Sequence, residues 1–464
     1  MFCQLEALQH CIPPNLRQYL NELPDTLDET YDRLLKGISR SQKDNAHRLL
    51  QCLTVAVRPL LVEELAELLA FDFQSSSGGI PTLKEDWRWD DEEEAVLSTC
   101  SSLITIIHRE DYRVVQFSHF SVKEYLTSPR LAQSPYGEVS RFRIDLEQAH
   151  TVMAQACLAT LLRLDDHTDD ANVFPLVEYA AKHLVDHAQF EEVSSRVRDG
   201  MDDLFDISRP HFSAWLQVHD IDERWFPFSS YSRDGVGSPL YYAAFCGLYD
   251  LAERLITNHP EQVNARSGYN LFPLAAALYK RHLHVANLLY QHGAVVDAQG
   301  QLNYTLLYTA SYDGHVDVMR WLLDHGADPN TIFSGYTPLI EAADKMHFDA
   351  VQVLLEHNAD TNLQNMNGHT PLYWILNMCH SSGKLVDMVR LLSEHGADPN
   401  ICANDHRTPL HEASSRGLLE AARLLLRYGA KVDEKDEEGK TPYQLATSDE
   451  MMKLLVEHGA VPPP

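Results

Sequence analysis

Thr408-Pro409-Leu410-His411-Glu412-Ala413 decides how this chain is read, because the phrase keeps returning. Thr337-Pro338-Leu339 and Thr370-Pro371-Leu372 are clear copies, and Thr441-Pro442-Tyr443 is a near one. Ser238-Pro239-Leu240, Phe272-Pro273-Leu274 and Thr305-Leu306-Leu307 are weaker copies. Their starts fall 34, 33, 32, 33, 38 and 33 residues apart. A Gly-Ala or Asn-Ala pair keeps the same beat at Gly293, Gly326, Asn358, Gly396, Gly429 and Gly459. Pro one residue into a helix gives up an N–H that would be unsatisfied there anyway, and the Thr before it can cap that helix through its hydroxyl. Two residues ahead of the Thr stand Asn270, Asn303, Gly335, Gly368 and Gly439, types that tolerate positive φ in a hairpin turn. Small pairs such as Ala243-Ala244 and Ala342-Ala343 let the first helix pack closely. Leu322-Leu323, Leu354-Leu355 and Leu424-Leu425 supply the buried stripe of a second helix. No single unit can bury such a face alone, so seven units are expected to stack into one solenoid.

Two markers at a period near 33 resemble the ankyrin repeat, over about half the chain. The resemblance implies a concave face made by the hairpin tips and by outward positions of the first helix, four, seven and eight residues after each start. Those positions hold Tyr242, Phe245, Tyr279, Tyr312, Trp374, Met378, Glu412 and Arg416, with Phe333 at a hairpin tip. Aromatic residues with Arg are the composition of interface hot spots. The expected function is therefore a non-catalytic scaffold that binds a protein partner, with Trp374 at the centre of the surface. The 38-residue spacing places about five extra residues near Asn377 to Lys384, beside Trp374 and Met378.

Composition sets the outer bounds. The chain has 464 residues, 44% of them hydrophobic, which is ample for packed cores. Net charge is −29, of which −18 lies before residue 238 and −11 after it. Such a balance excludes nucleic acid and anionic membrane as expected partners and favours a basic protein. The eight Cys show no C-x-x-C spacing, so reduced thiols in a cytoplasmic protein are expected. No apolar run approaches a membrane span.

The first half reads as a helical lead over 1–40, a winged helix over 41–130 and a helical connector over 131–237 that ends in a cap for the array. Helices are expected at Asp44–Val57, Val62–Ala70 and Val96–Ser102, then a β-hairpin from Leu103 to Phe117 and a helix from Phe120. The stretch Ser75 to Glu94 reads as an exposed loop. In the connector, helices are expected at Arg141–Leu164, Leu176–His187 and Glu191–Phe205, with Trp215, Leu216 and Trp225 as cap anchors. The fold class is mainly α. Leu23-Pro24-Asp25-Thr26-Leu27-Asp28-Glu29-Thr30-Tyr31, Cys100-Ser101-Ser102-Leu103 and His119-Phe120-Ser121-Val122-Lys123-Glu124-Tyr125-Leu126 resemble fungal signalling proteins. Those proteins join a NACHT-type (STAND) NTPase to ankyrin repeats through a winged helix of the GPI inositol-deacylase type. The resemblance implies that this winged helix docks on an NTPase core, in cis or in trans, and helps hold it shut.

The phosphate-binding loop of such a core is not in this sequence. The only Gly-Lys-Thr, at Gly439, follows Glu434 where the loop needs Gly. The chain reads as the C-terminal half of such a protein, through a fragment, a split gene or a truncation. It is expected to be no enzyme and to need no cofactor; no G-x-S-x-G elbow is present either. The alternative is the regulatory half of a nucleotide-dependent switch. His119 has two readings, a contact to nucleotide phosphate implied by the resemblance and a residue that orders the helix start. Residues 44–130 carry 8 basic and 15 acidic residues, the wrong balance for a DNA reader. The 24 His suggest a metal site, but the repeat register removes most of that suggestion. His282, His315 and His347 lie ten residues after a start; His292, His325 and His357 lie twenty after it, and His395 and His458 correspond. Asp-Pro-Asn at Asp328 and Asp398 is turn chemistry.

Overall fold

The computed structural model describes residues 26–77, 79–132, 137–165, 174–190, 192–219, 237–266, 272–296, 306–378 and 383–462. The helix expected before residue 26, and Trp225, Asn270, Asn303 and the inserted residues 379–382, lie outside this set. The chain divides into two compact units after residue 232.

In the first unit, helices Lys43–Val55, Val62–Leu69 and Glu92–Cys100 precede strands β4 (Ile104–His108) and β5 (Arg113–Phe117). A short strand β1 (Leu60–Leu61) completes an antiparallel sheet of order β1-β5-β4. Three helices with such a sheet make a winged helix. Leu49, Leu50, Leu65, Val96 and Val115 are buried in its core. Helix Phe120–Thr127 follows.

The stretch Ser75 to Glu94 is not a loop throughout. Strands β2 (Phe71–Ser77) and β3 (Ile80–Leu83) form a hairpin, with buried Phe71 opposite buried Leu83. The acidic run opens a helix: Asp91 Oδ1 accepts the Glu94 N–H at 3.0 Å, and Glu92, Glu93 and Glu94 fill the first turn. Carboxylates are favoured there by the helix dipole.

The connector keeps two of its expected helices, at Leu146–Leu161 and Val177–Ala188. The first begins five residues later than expected because Asp145 caps it, accepting the Gln148 N–H at 3.1 Å. The expected helix from Glu191 is two short ones, Val193–Arg196 and Arg198–Leu204, entered through Glu192 at φ 61°. Trp215 packs within its own unit. It is fully buried in the first unit, in edge contact with Phe205 and Phe212, and its Nε1–H donates to the Ala181 carbonyl at 3.0 Å. Cys52, Cys100 and Cys157 are buried free thiols; burial pushes those of Cys52 and Cys100 up to about 12.

The second unit is the repeat array. First helices run Pro239–Phe245, Pro273–Tyr279, Leu306–Asp313, Pro338–Asp344, Pro371–Met378, Pro409–Ser415 and Pro442–Leu445. Second helices run Tyr249–Asn258, Leu283–Gln291, Val316–Asp324, Phe348–Glu356, Gly383–Glu394, Leu419–Arg427 and Asp449–Glu457. Thr337 caps through its hydroxyl, which accepts the Ile340 N–H at 3.2 Å. Thr370 does the same for Tyr373. Gly335, Gly368 and Gly439 take φ of 85°, 75° and 75° in the hairpin turns, where a Cβ would be strained.

The periodic histidines are structural. His292, His325, His357, His395 and His458 each donate Nδ1–H to the carbonyl four residues back, at 2.9, 2.6, 2.9, 2.9 and 2.9 Å. Those carbonyls belong to the last turn of each second helix, and those of Leu288, Trp321 and Val353 also accept the backbone N–H of the same histidine. His347 lies against Gly314, where an added Cβ would come within 2.9 Å of the ring. No group of His, Cys, Asp and Glu among the described residues could hold a metal ion.

A periodic Asn joins one unit to the next. Asn362 Nδ2 donates to the Gly396 carbonyl at 3.1 Å and its Oδ1 accepts the Asp398 N–H at 2.8 Å. Asn400 repeats both bonds one unit on, to Gly429 and Lys431, at 3.1 and 2.9 Å. Asn264 makes the same pair with Gly293 and Val295.

Candidate functional site

Repeats three to five bring aromatic rings together on their first helices. Tyr308 and Tyr312 lie one turn apart on the first helix of repeat three. Tyr308 donates to Glu341 Oε2 at 2.8 Å and meets Phe333 edge to face at 5.2 Å. Lys345, which ends the first helix of repeat four, places Nζ 4.7 Å from the Tyr312 ring centre and 2.9 Å from Asp344 Oδ2. That carboxylate holds the Lys345 ammonium above its usual range. The other oxygen of Asp344 accepts Trp374 Nε1–H at 2.8 Å, and Trp374 meets Tyr336 edge to face at 5.3 Å. Phe333, Tyr308, Glu341, Lys345, Tyr312, Asp344 and Trp374 thus form one connected patch. Tyr312 is its open member, at 49% exposure, and Met378, one turn beyond Trp374 on the same helix, is 52% exposed. Trp374 is half-buried, its indole edge fixed between repeats by Asp344.

The remaining expected residues divide. Tyr279 is half-buried, and burial, with Asp313 nearby, raises its hydroxyl above the usual range. Tyr242 and Phe245 are not exposed as expected. Tyr242 is fully buried and Phe245 nearly so; both pack on Tyr241, and Lys280 Nζ sits 4.5 Å over the Phe245 ring. Glu412 is likewise buried, because Arg407 pairs with it at 3.2 Å and the Tyr373 hydroxyl donates to it at 3.3 Å. Arg416 turns back to the end of the repeat-five helix, donating to the carbonyls of Leu376, at 2.9 Å, and Asn377. Glu341, Asp344 and Lys345 were missed. They occupy positions four, seven and eight of repeat four, the register that pointed to Tyr312, Trp374 and Met378.

In the first unit His119 starts its helix. Nδ1 accepts the Ser121 N–H at 3.3 Å and lies 2.5 Å from Ser121 Oγ, and the ring rests on Phe120 at 4.3 Å. The Ser121 hydroxyl continues to Tyr31 Oη at 2.7 Å.

Comparison with known proteins agrees with this division. Residues 31–137 match the GPI inositol-deacylase winged helix domain. Residues 240–333, 331–401 and 376–463 match ankyrin repeats in three copies. The azaphilone pigments biosynthesis cluster protein L of Monascus ruber is 34% identical over 298 residues, 60% of this chain and 61% of that protein. The chain therefore matches less than two thirds of that relative. Human ankyrin repeat and SOCS box protein 16 is 48% identical over 54 residues, 11% of this chain and 12% of that protein. Among solved structures, the ankyrin repeat domain of Bcl-3 is 28% identical, covering 47% of this chain and 98% of that one, at a TM-score of 0.43. No helix among the described residues is long and apolar enough to cross a membrane. The chain carries a winged helix of the GPI inositol-deacylase type followed by ankyrin repeats, and those repeats give it a role in protein–protein interaction.

Proposed function

We propose that the chain is a non-catalytic scaffold that binds a protein partner on the aromatic patch of repeats three to five. The observation that carries this reading is the connected set of Tyr312, Lys345, Asp344 and Trp374, spread over three successive units. An exposed ring whose neighbours are already fixed by hydrogen bonds loses little side-chain freedom on binding, which favours affinity. The two carboxylates, Glu341 and Asp344, share the single ammonium of Lys345, so the patch favours a partner that brings an apolar side chain flanked by cations or N–H donors.

The setting we propose is the recognition arm of a NACHT-type signalling protein, supported by the winged-helix match and by repeats that follow it. The partner would be isolated by affinity capture, and its binding then measured with Tyr312→Ala combined with Met378→Ala. Both side chains are half exposed, so melting temperature should hold while affinity falls about thirtyfold, the effect of losing roughly 2 kcal/mol at an interface centre. Tyr428→Ala, just past the second helix of repeat six, serves as the control. Unchanged affinity in the double variant, or a loss confined to Tyr428→Ala, would remove the patch as the binding face.

A further inference from the structure

The first unit presents two tryptophans to water at the same place. Trp87 and Trp89 are 49% and 44% exposed. Single exposed apolar residues are ordinary, but two indoles within three residues make a patch. The chain around them is pinned from inside. Lys84 lies 3.9 Å from Asp72, Glu85 takes Arg163 at 2.9 Å, and Asp91 caps the helix that follows. Arg88, between the two indoles, turns inward: Nη2 donates to buried Glu67 at 2.8 Å and the guanidinium lies 5.8 Å from the Phe174 ring centre. Glu85–Trp87 is a single 3-10 turn, and Arg88 leaves it in extended backbone, at φ −68° and ψ 138°. While the Arg88 guanidinium reaches in to Glu67, Trp87 and Trp89 stay exposed on either side of it.

The four residues left over are Asp86, Trp87, Trp89 and Asp90; among the described residues neither carboxylate has an ion-pair partner. They border an open depression of about 600 Å³ floored by Asn45 and Leu69. The nearest cation, Arg88, is held inward at its edge, and the helix beyond begins with three glutamates. Indole faces beside unpaired carboxylates suit cationic side chains, through cation–π attraction and ion pairing together. The two rings do not touch one another, and the depression is larger than one guanidinium. We propose that this site docks an extended, arginine- or lysine-bearing segment of a partner protein, separately from the ankyrin patch.

The test uses the full chain and a fluorescein-labelled hexa-arginine peptide, read by anisotropy at about 0.15 M salt, where long-range attraction between exposed charges is largely screened. Trp87→Ala with Trp89→Ala leaves the net charge unchanged, so it separates this site from general attraction to an acidic protein. Loss of two exposed cation–π contacts should weaken binding about tenfold. Trp87→Phe with Trp89→Phe should restore most of it, Asp86→Asn with Asp90→Asn should weaken it about threefold, and hexa-glutamate should not bind. Melting temperature should be the same throughout; if the alanine pair unfolds, the phenylalanine and asparagine pairs decide. Binding within twofold of wild type in the alanine and asparagine pairs would overturn the proposal. So would sedimentation showing that wild type dimerises through the tryptophans, which would make the occupant a second copy of this chain.

Discussion

Asn362→Ala tests what holds repeat four to repeat five. The amide makes two bonds across that junction, at 3.1 Å to the Gly396 carbonyl and 2.8 Å from the Asp398 N–H. Both lie near the surface, so water replaces part of what is lost, and a net contribution of about 1 kcal/mol each is the appropriate scale. The expected destabilisation is about 2 kcal/mol, or about 4–8 °C in the melting temperature of an array of this size. Asn362→Asp is a sharper probe: it keeps the acceptor for the Asp398 N–H but loses the donor to Gly396. It also sets a third carboxylate beside Asp360 and Asp398, so it should cost at least as much as alanine at low salt and less at high salt. Calorimetry of the full chain, with the array followed separately by hydrogen exchange, gives both numbers. A loss below about 0.5 kcal/mol for Asn362→Ala would show that the amide bonds are merely exchanged for water and that apolar stacking alone joins the units.

Acid should loosen the first unit through His187. Its ring is fully buried between the Tyr179 hydroxyl and His150 Nδ1, each 2.9 Å away, and burial lowers its pKa to about 3. The unfolded chain then binds a proton that the folded unit refuses, so stability is full above about pH 6.5 and falls by about 1.4 kcal/mol per pH unit down to about 3; His187→Gln should flatten that slope in urea titrations between pH 6.5 and 4.5 by one proton, and an unchanged slope would disprove it. The chain should hydrolyse neither ATP nor GTP with Mg²⁺, since Glu434 stands where a phosphate loop needs Gly; turnover that follows the protein through several columns and dies on unfolding would contradict this.

The repeat boundaries were legible because Thr-Pro fixes a helix start by local chemistry: a hydroxyl for the N–H groups and a ring already at helical φ. The histidines were legible as periodic, though not in what they do, because donation to a carbonyl four residues back depends on where the helix stops. What the sequence hid was everything decided by neighbours. Glu412 occupies an outward register, yet Arg407 and Tyr373 close over it. Tyr242 and Phe245 look like a ligand platform and are a packed cluster with Tyr241. The hairpin Phe71–Leu83 was hidden for a different reason. Its serine-rich turn has low strand propensity, and the pairing rests on the two apolar residues at its far end. Asn362 and Asn400 carried a readable signal, since each stands two residues after an Asp that follows the Gly-Ala or Asn-Ala pair, but a lone Asn in a turn has many other uses.

The joint made by those asparagines has a bearing on how such a chain can change length. Asn362 and Asn400 grip the same two backbone atoms of the unit that follows each of them. These two couplings therefore have the same plug and the same socket. If residues 363–400 were excised, Asn362 would stand ahead of the segment that Asn400 now holds, with an identical grip available to it. A recombination event that gains or drops a whole unit leaves no mismatched seam, whereas one that cuts inside a unit leaves a plug without a socket. The array can thus be lengthened or shortened at its couplings, while the aromatic patch on repeats three to five depends on which units remain side by side.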